Sequence, residues 1–503
     1  MTVLVRWRVF LLAVLALGLA PIPQARALEL PAVFADHMVL QRDMPVPVWG
    51  KAEPGTLVSV AFGSLQVETV TDDAGKWRVD LPAMPASAKP RLMTVTGWRQ
   101  ENPPAPITIA DILVGDVWHC SGQSNMEWSV ERSNDAAAEI AAADYPLIRH
   151  FTVPRTGADS PRFTSEGTWK ITAPDTIAKF SAVGYAFGRS IHLSQDVPIG
   201  LIGTAWGAAS AEAFTSMHTL LADPFTAKHV NAMNARPQDA RFRQQTTPAA
   251  IFHGMIHPVA PFAHRGVIWY QGEGNAGRAV AYRDLLPRMI EDWRALWDQP
   301  GEHRDTPFLI VQLAHFKQPH DQPPAYDGWG ELRDSQARVA ATVPNVYLAT
   351  AIDIGDADDI HPGNKQDVGR RLARLADHHV YGDESVVPVG PTMLEVSNTL
   401  EPSSRSLVMW DNSKGLTTSD GQPPRGFAIR PLGSKQAWVW ASAKIRHDLA
   451  PVVVLEHPDG VLGPFEVRYA YGINPTDGPQ GINLVNGEGL PAMPFRTDPV
   501  LGD

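Results

Sequence analysis

Between residues 111 and 386 the chain alternates runs that are apolar throughout with stretches of helical periodicity, and this leaves few folds open. The apolar runs are ILVGDVW, VPIGLIG, RGVIWYQ, PFLIVQLAHF and VYLATAIDIG. A strand with one wet face alternates apolar and polar residues. A strand apolar at every position is buried on both faces, as in a parallel sheet covered by helices on each side. The intervening stretches supply the helices. SNDAAAEIAAADY has helix-forming composition, and AVGYAFGRSIHL places Val183, Phe187 and Ile191 on one face. YRDLLPRMIEDWRALW does the same for Leu286, Ile290, Trp293 and Trp297, and NKQDVGRRLARLADHHV closes the series.

The flanks have a different rhythm. From Leu28 to Ala110 short alternating runs, VPVWG, LVSVAFG and QVETVTD, are separated by turn signals such as AEPG and DDAGKW. The spacing predicts a small β-sandwich over 28–110. From 387 to 503 the pattern is again β-rich: SLVMW, GFAIRPL, PVVVLEH, FEVRYAY. Residues 1–27 read as a secretion signal. Arg6 and Arg8 precede the apolar run VFLLAVLALGLA, which is too short to span a bilayer, and Ala25-Arg26-Ala27 forms the cleavage pattern. Export to the periplasm or the medium is therefore expected, with no membrane insertion after cleavage.

Charge and cysteine content narrow the function classes. Removing residues 1–27 takes away three of the 43 basic residues and none of the 54 acidic ones, leaving a net charge of −14. So acidic a chain is a poor partner for nucleic acid or an anionic membrane. Cys120 is the only cysteine, which excludes an intrachain disulfide and a cysteine-rich zinc site. At the end of an apolar run it reads as a buried small hydrophobe. No H-E-x-x-H spacing occurs among the histidines, and the aspartates of DADDI lack a calcium-loop pattern. No metal or organic cofactor is expected.

In an open α/β sheet ligands bind beyond the carboxyl ends of the strands. Four places put reactive or donor groups just there: Ser124 in SGQSNM, Gly207 in GTAWGAAS, Asn275 in YQGEGNA, and Asp358 with His361 in DADDIHP. A serine in such a loop is ordinarily a helix cap, and a lone histidine ordinarily lies at a surface. Their coincidence at strand ends changes the weighing. A carboxylate three residues before His361 can orient an imidazole and stabilise its protonated form; Asp356 and Asp359 are neighbours able to do the same. Gly207 can bring its backbone N–H close, and the side-chain amide of Asn275 or Gln271 can donate to an oxyanion. The elbow G-x-S-x-G is absent, because Met126 stands where its second glycine would be. Trp128, Trp206 and Trp269 read first as core, and Glu273 and His257 as structural.

Taken together, SGQSNM, WYQGEGNA and DIHPGNKQDVGRRLA resemble the sialate O-acetylesterase family within the SGNH hydrolases. The flanking VFADHMVLQRDMPVPVWGKAEPG, VRYAY and NGEGLPAMPFRTD resemble its terminal β-segments, so the likeness covers nearly all of the chain after residue 27. It implies an SGNH-hydrolase-like parallel sheet flanked by helices, with β-sandwich-like segments at both ends. It also implies a serine esterase that removes O-acetyl groups from sugars, foremost sialic acids, through an acetyl-enzyme. Carried over by position, Ser124 is the nucleophile and His361 the base and later the acid, with Asp358 its orienter. The oxyanion hole would use the N–H groups of Ser124 and Gly207 with Asn275 or Gln271. Two positions depart from the family pattern: Gly274 replaces a serine, and Ala208 replaces the second of two glycines. The competing expectations are an acetyl esterase of plant polysaccharide such as acetylxylan, and a carbohydrate-binding protein without activity.

Overall fold

A computed structural model describes residues 28–98, 105–234, 243–398, 405–446, 451–459, 461 and 463–499. The secretion-signal reading of 1–27 lies outside the described residues.

The five apolar runs and two further segments form the strands of one sheet. In chain order they are β1 (Ile107–Gly122), β2 (Tyr145–Thr152), β3 (Trp169–Thr172), β4 (Ile199–Gly203), β5 (Gly266–Tyr270), β6 (Phe308–Gln312) and β7 (Val346–Thr350). Their spatial order is β7-β6-β5-β1-β4-β2-β3, all parallel except β3, which runs antiparallel to β2 at the edge. Every residue of β5 and β6 is buried, as expected of strands covered on both faces. The chief helices are α1 (Ser124–Glu127), α2 (Ala182–Gln195), α3 (Ala279–Trp297), α4 (Gly328–Thr342) and α5 (Lys365–Leu375). In α3 the predicted stripe Leu286, Ile290, Trp293 and Trp297 is buried. Each such side chain contributes about 1.5–3 kcal/mol by leaving water, and this burial outweighs the interruption of the ladder at Pro287.

The β-segments before and after the helical part are present, but the expected junction at 110/111 falls inside a strand. β1 is 16 residues long. Its first part pairs with the strand Ser87–Trp98, its middle with Val39–Gln41, and its last part is the centre of the parallel sheet. One hydrophobic core accordingly runs from Val58 and Val60 through to Leu372 and Ala376. The C-terminal segment builds two four-stranded antiparallel sheets and a two-stranded one around a second core that includes Val408, Phe427, Val467 and Tyr469. Arg333 of α4 fastens it to the parallel sheet by donating to the carbonyls of Gly472 and Ile473.

Candidate active site

β1 and β5 end side by side, and that crossing fixes the serine loop. Gln123 N–H donates to Tyr270 O (2.9 Å), and Trp206 N–H donates to Gly122 O (3.0 Å). Gly122 has φ +136°, and a Cβ there would lie 2.1 Å from Tyr270 O, so only glycine allows the approach. The Gln123 side chain spans the gap beyond, its Oε1 accepting from Gly274 N–H (3.0 Å). The chain then turns into α1 with Ser124 as its first residue. Among the described residues the Ser124 N–H has no acceptor, as befits the first turn of a helix.

His361 arrives from the loop after β7. Its Nε2 lies 2.8 Å from Ser124 Oγ, across 237 residues of sequence. The imidazole stacks on the Trp128 indole (centroids 4.8 Å apart, planes 17° apart). The Arg132 guanidinium lies 3.5 Å from the centroid of the same indole, a cation–π contact that holds the ring between the two. Burial holds the His361 pKa below the ordinary value. Asp359 opposes this, while Lys365 and Arg132 add to it. The ring is thus neutral at pH 7 and able to accept a proton.

The carboxylate beside the imidazole is Asp359, not Asp358. Asp359 Oδ1 is 3.5 Å from His361 Nδ1 and accepts the His361 backbone N–H at 2.8 Å. Asp358 instead donates its own N–H to Asp356 Oδ1 (2.8 Å), and its carboxylate makes no bond to the ring among the described residues. The three-residue spacing failed as a guide because the loop winds around Asp356, which also accepts from Asp359 N–H.

The expected oxyanion donors divide. Gly207 lies against the serine: a Cβ there would sit 3.4 Å from Ser124 Cβ. Its N–H, however, donates to Glu127 Oε2 (2.9 Å), and Glu127 is also paired with Arg155. Gln271 has no donor left, since its amide N–H groups go to Ala209 O (3.2 Å) and Asn275 Oδ1 (2.8 Å). Asn275 accepts from Gln271 and from Ala211 N–H and gives one amide N–H to Glu212 (3.0 Å), leaving the other uncommitted among the described residues. Of the two amides, Asn275 alone keeps a hydrogen to offer. Only the first departure from the family pattern has a local cause: a Cβ at Gly274 would lie 2.7 Å from Ala209 O. Ala208 adopts φ +59°, where the family's glycine would sit freely and an L side chain costs about 1–2 kcal/mol.

Four residues not singled out in the sequence, Asn125, Lys365, Glu127 and Arg155, surround this geometry. Asn125, 1% exposed, donates to Glu273 Oε1 (2.6 Å) and to Ile360 O (3.0 Å), and its Oδ1 accepts from Lys365 Nζ. Glu127 and Arg155 line the cleft. Cys120 is buried, and burial pushes its thiol pKa up, which makes it inert. Trp269 is core as expected, Trp206 is half-buried, and Trp128 faces the site. The cleft over Ser124 and His361 has a volume of about 460 Å³ and is lined by Trp128, Arg132, Arg155, Lys179, Glu127 and Glu131 among others, a size suited to a sugar unit.

A profile of the family described as carbohydrate esterase, sialic acid-specific acetylesterase, matches residues 114–378. The sialate O-acetylesterase of Mus musculus is 28% identical over 92% of this chain and 92% of its own. That of Homo sapiens is 29% identical over 71% of this chain and 72% of its own. Among solved structures, a carbohydrate acetylesterase from Xanthomonas citri is 36% identical, with a TM-score of 0.81, and the match covers 94% of this chain and 100% of that one. The class is that of the carboxylic ester hydrolases. Within it, the chain belongs to the carbohydrate esterase family of sialic acid-specific acetylesterases.

Proposed function

We propose that this protein is a serine esterase that removes O-acetyl groups from sugars, foremost sialic acids. The observation that carries the reading is the 2.8 Å contact between Ser124 Oγ and His361 Nε2 at the carboxyl edge of the sheet. His361 takes the hydroxyl proton as Ser124 Oγ bonds to the acetyl carbonyl carbon. The carbonyl oxygen becomes an oxyanion held by the Ser124 N–H, with the Gly207 N–H joining once Glu127 swings aside. The C–O bond to the sugar then breaks, the sugar oxygen receives the proton from His361, and an acetyl-serine remains. Water attacks that ester, passing its proton to His361, and acetate leaves as the proton returns to Ser124. Asp359 steadies the imidazolium. No cofactor enters these steps.

A sialate carries a carboxylate, and Arg132 lines the cleft without a carboxylate partner among the described residues. Charge-assisted bonding there would hold the acid group of the sugar. A second reading, an esterase of neutral plant polysaccharide such as acetylxylan, is favoured by the pairing of the other cations: Arg155 with Glu127 and Lys179 with Glu131. Acetate release from O-acetylated sialic acid and from acetylxylan, with wild type, Ser124→Ala and Arg132→Ala, tests both. Ser124→Ala should release none. Arg132→Ala should raise KM for the sialate about tenfold or more, the value of a charged hydrogen bond, with a smaller change for acetylxylan, which feels only the loss of the brace on the Trp128 ring. Release by Ser124→Ala equal to wild type would remove the serine mechanism. A sialate KM unmoved by Arg132→Ala would favour the neutral glycan. The reading includes export, supported by the pattern of residues 1–27 and tested by the N-terminal sequence of the protein recovered outside the cytoplasm.

A further inference from the structure

Ser124 and His361 come from opposite ends of the catalytic segment, yet their loops are pinned by a shared side chain one residue away from each. Asn125, directly after Ser124, donates its amide to the carbonyl of Ile360, directly before His361, at 3.0 Å. An amide can be turned either way. What sets it here is Lys365, a group that only donates when charged, on Asn125 Oδ1. With its oxygen held, the amide must present its hydrogens to Ile360 O and to Glu273 Oε1 (2.6 Å). Lys365 is the first residue of α5 and is wholly buried. Its Nζ lies 5.7 Å from the centroids of both Trp128, the ring on which His361 stacks, and Tyr270 at the end of β5.

We infer that Lys365 is a positioning residue for the serine–histidine pair: it orients the Asn125 amide that ties the two loops together, and it sets a cation near the Trp128 ring on which His361 stacks. The inference rests on the serine reading proposed above. Burying a lysine is costly, and a lysine kept only for packing is readily replaced by an apolar side chain. Burial lowers the Lys365 pKa to about 7, against the pull of Glu273 and Asp359 and with Arg132 adding. Below that pH, where His361 takes its proton, the ammonium is present. The groups that act on His361 are Asp359 from its own loop, Lys365 from α5 and Arg132 from the turn after α1. Burial raises the pKa of Glu273, so the negative charge opposite Lys365 is itself weakened. Removing the ammonium should therefore raise the His361 pKa.

Two substitutions separate the parts of the role. Lys365→Gln keeps a donor for Asn125 Oδ1 and loses the charge. Lys365→Met loses both. Each is read with 4-nitrophenyl acetate from about pH 4.5 to 9, beside a melting curve and Ser124→Ala. Lys365→Gln should move the acid limb of kcat/KM up by about half a pH unit or more, with the plateau kcat within a few-fold of wild type. Lys365→Met should move the limb likewise and also lower the plateau kcat about tenfold or more, with KM within about twofold, since loosened alignment is paid in kcat. An acid limb unmoved in folded Lys365→Gln overturns the role, as does wild-type kcat and acid limb in Lys365→Met. If Lys365→Met does not fold, Lys365→Gln decides alone. Retained activity in Ser124→Ala marks failure of the serine reading instead.

Discussion

The weak contact between Asp359 and His361 allows a quantitative test of how much a carboxylate contributes here. In a triad whose carboxylate is buried against the imidazole, its loss costs about ten-thousandfold in kcat. Asp359 is placed differently. Its oxygen is 3.5 Å from Nδ1, and its side chain is 56% exposed. An ion pair so open to water contributes about 0.2–1 kcal/mol, which at about 1.4 kcal/mol per tenfold is less than about fivefold in rate. Asp359→Asn should therefore lower kcat by less than about tenfold. The sign of the pH effect also follows. Asp359 raises a His361 pKa that burial lowers, so removing the carboxylate lowers it further. Activity requires neutral imidazole, so the acid limb of the kcat/KM profile should move to lower pH. Asp358→Asn, whose carboxylate does not reach the ring, should behave as wild type. The assay is acetate release across pH for wild type and both variants. A thousandfold loss in Asp359→Asn, a limb moving upward, or greater damage from Asp358→Asn would refute the reasoning.

Two further predictions concern the loops that carry the donors. Ala208→Gly relieves an alanine at φ +59° but adds backbone freedom to the unfolded chain, for a net stabilisation of roughly half a kcal/mol; a rise in melting temperature checks it, and a fall contradicts it. Gly122→Ala forces a Cβ to 2.1 Å from Tyr270 O at φ +136° and should cost about 3 kcal/mol or more, read as a large drop in melting temperature together with loss of esterase activity.

What the sequence disclosed followed from hydropathy. β4, β5, β6 and β7 are apolar enough to read directly, and α3 shows its buried stripe. β2 escaped notice because Arg149 and His150 interrupt its apolar run, although both are buried, Arg149 against Asp111 and His150 beside Thr172. α4 escaped for the same reason, since Glu331, Arg333, Ser335 and Gln336 on its inner side are all buried. Arg333 serves the carbonyls of Leu313, Ala314, Gly472 and Ile473, and such partners do not show in local periodicity. At the site, Ser124 and His361 stood out because their blocks end strands, and the structure brings them together. The choice of Asp359 over Asp358 depends on how a loop turns around Asp356. The roles of Asn125 and Lys365 depend on contacts across more than 230 residues, which no spacing within a motif encodes.

The most direct measurement is covalent. A serine-reactive phosphonate ester, added in stoichiometric amount, should abolish acetate release and modify one peptide, with the adduct on Ser124. His361→Ala should slow that labelling about a hundredfold or more, because the proton on Oγ then has no acceptor. Labelling at another residue, or full inhibition with Ser124 unmodified, would contradict the account.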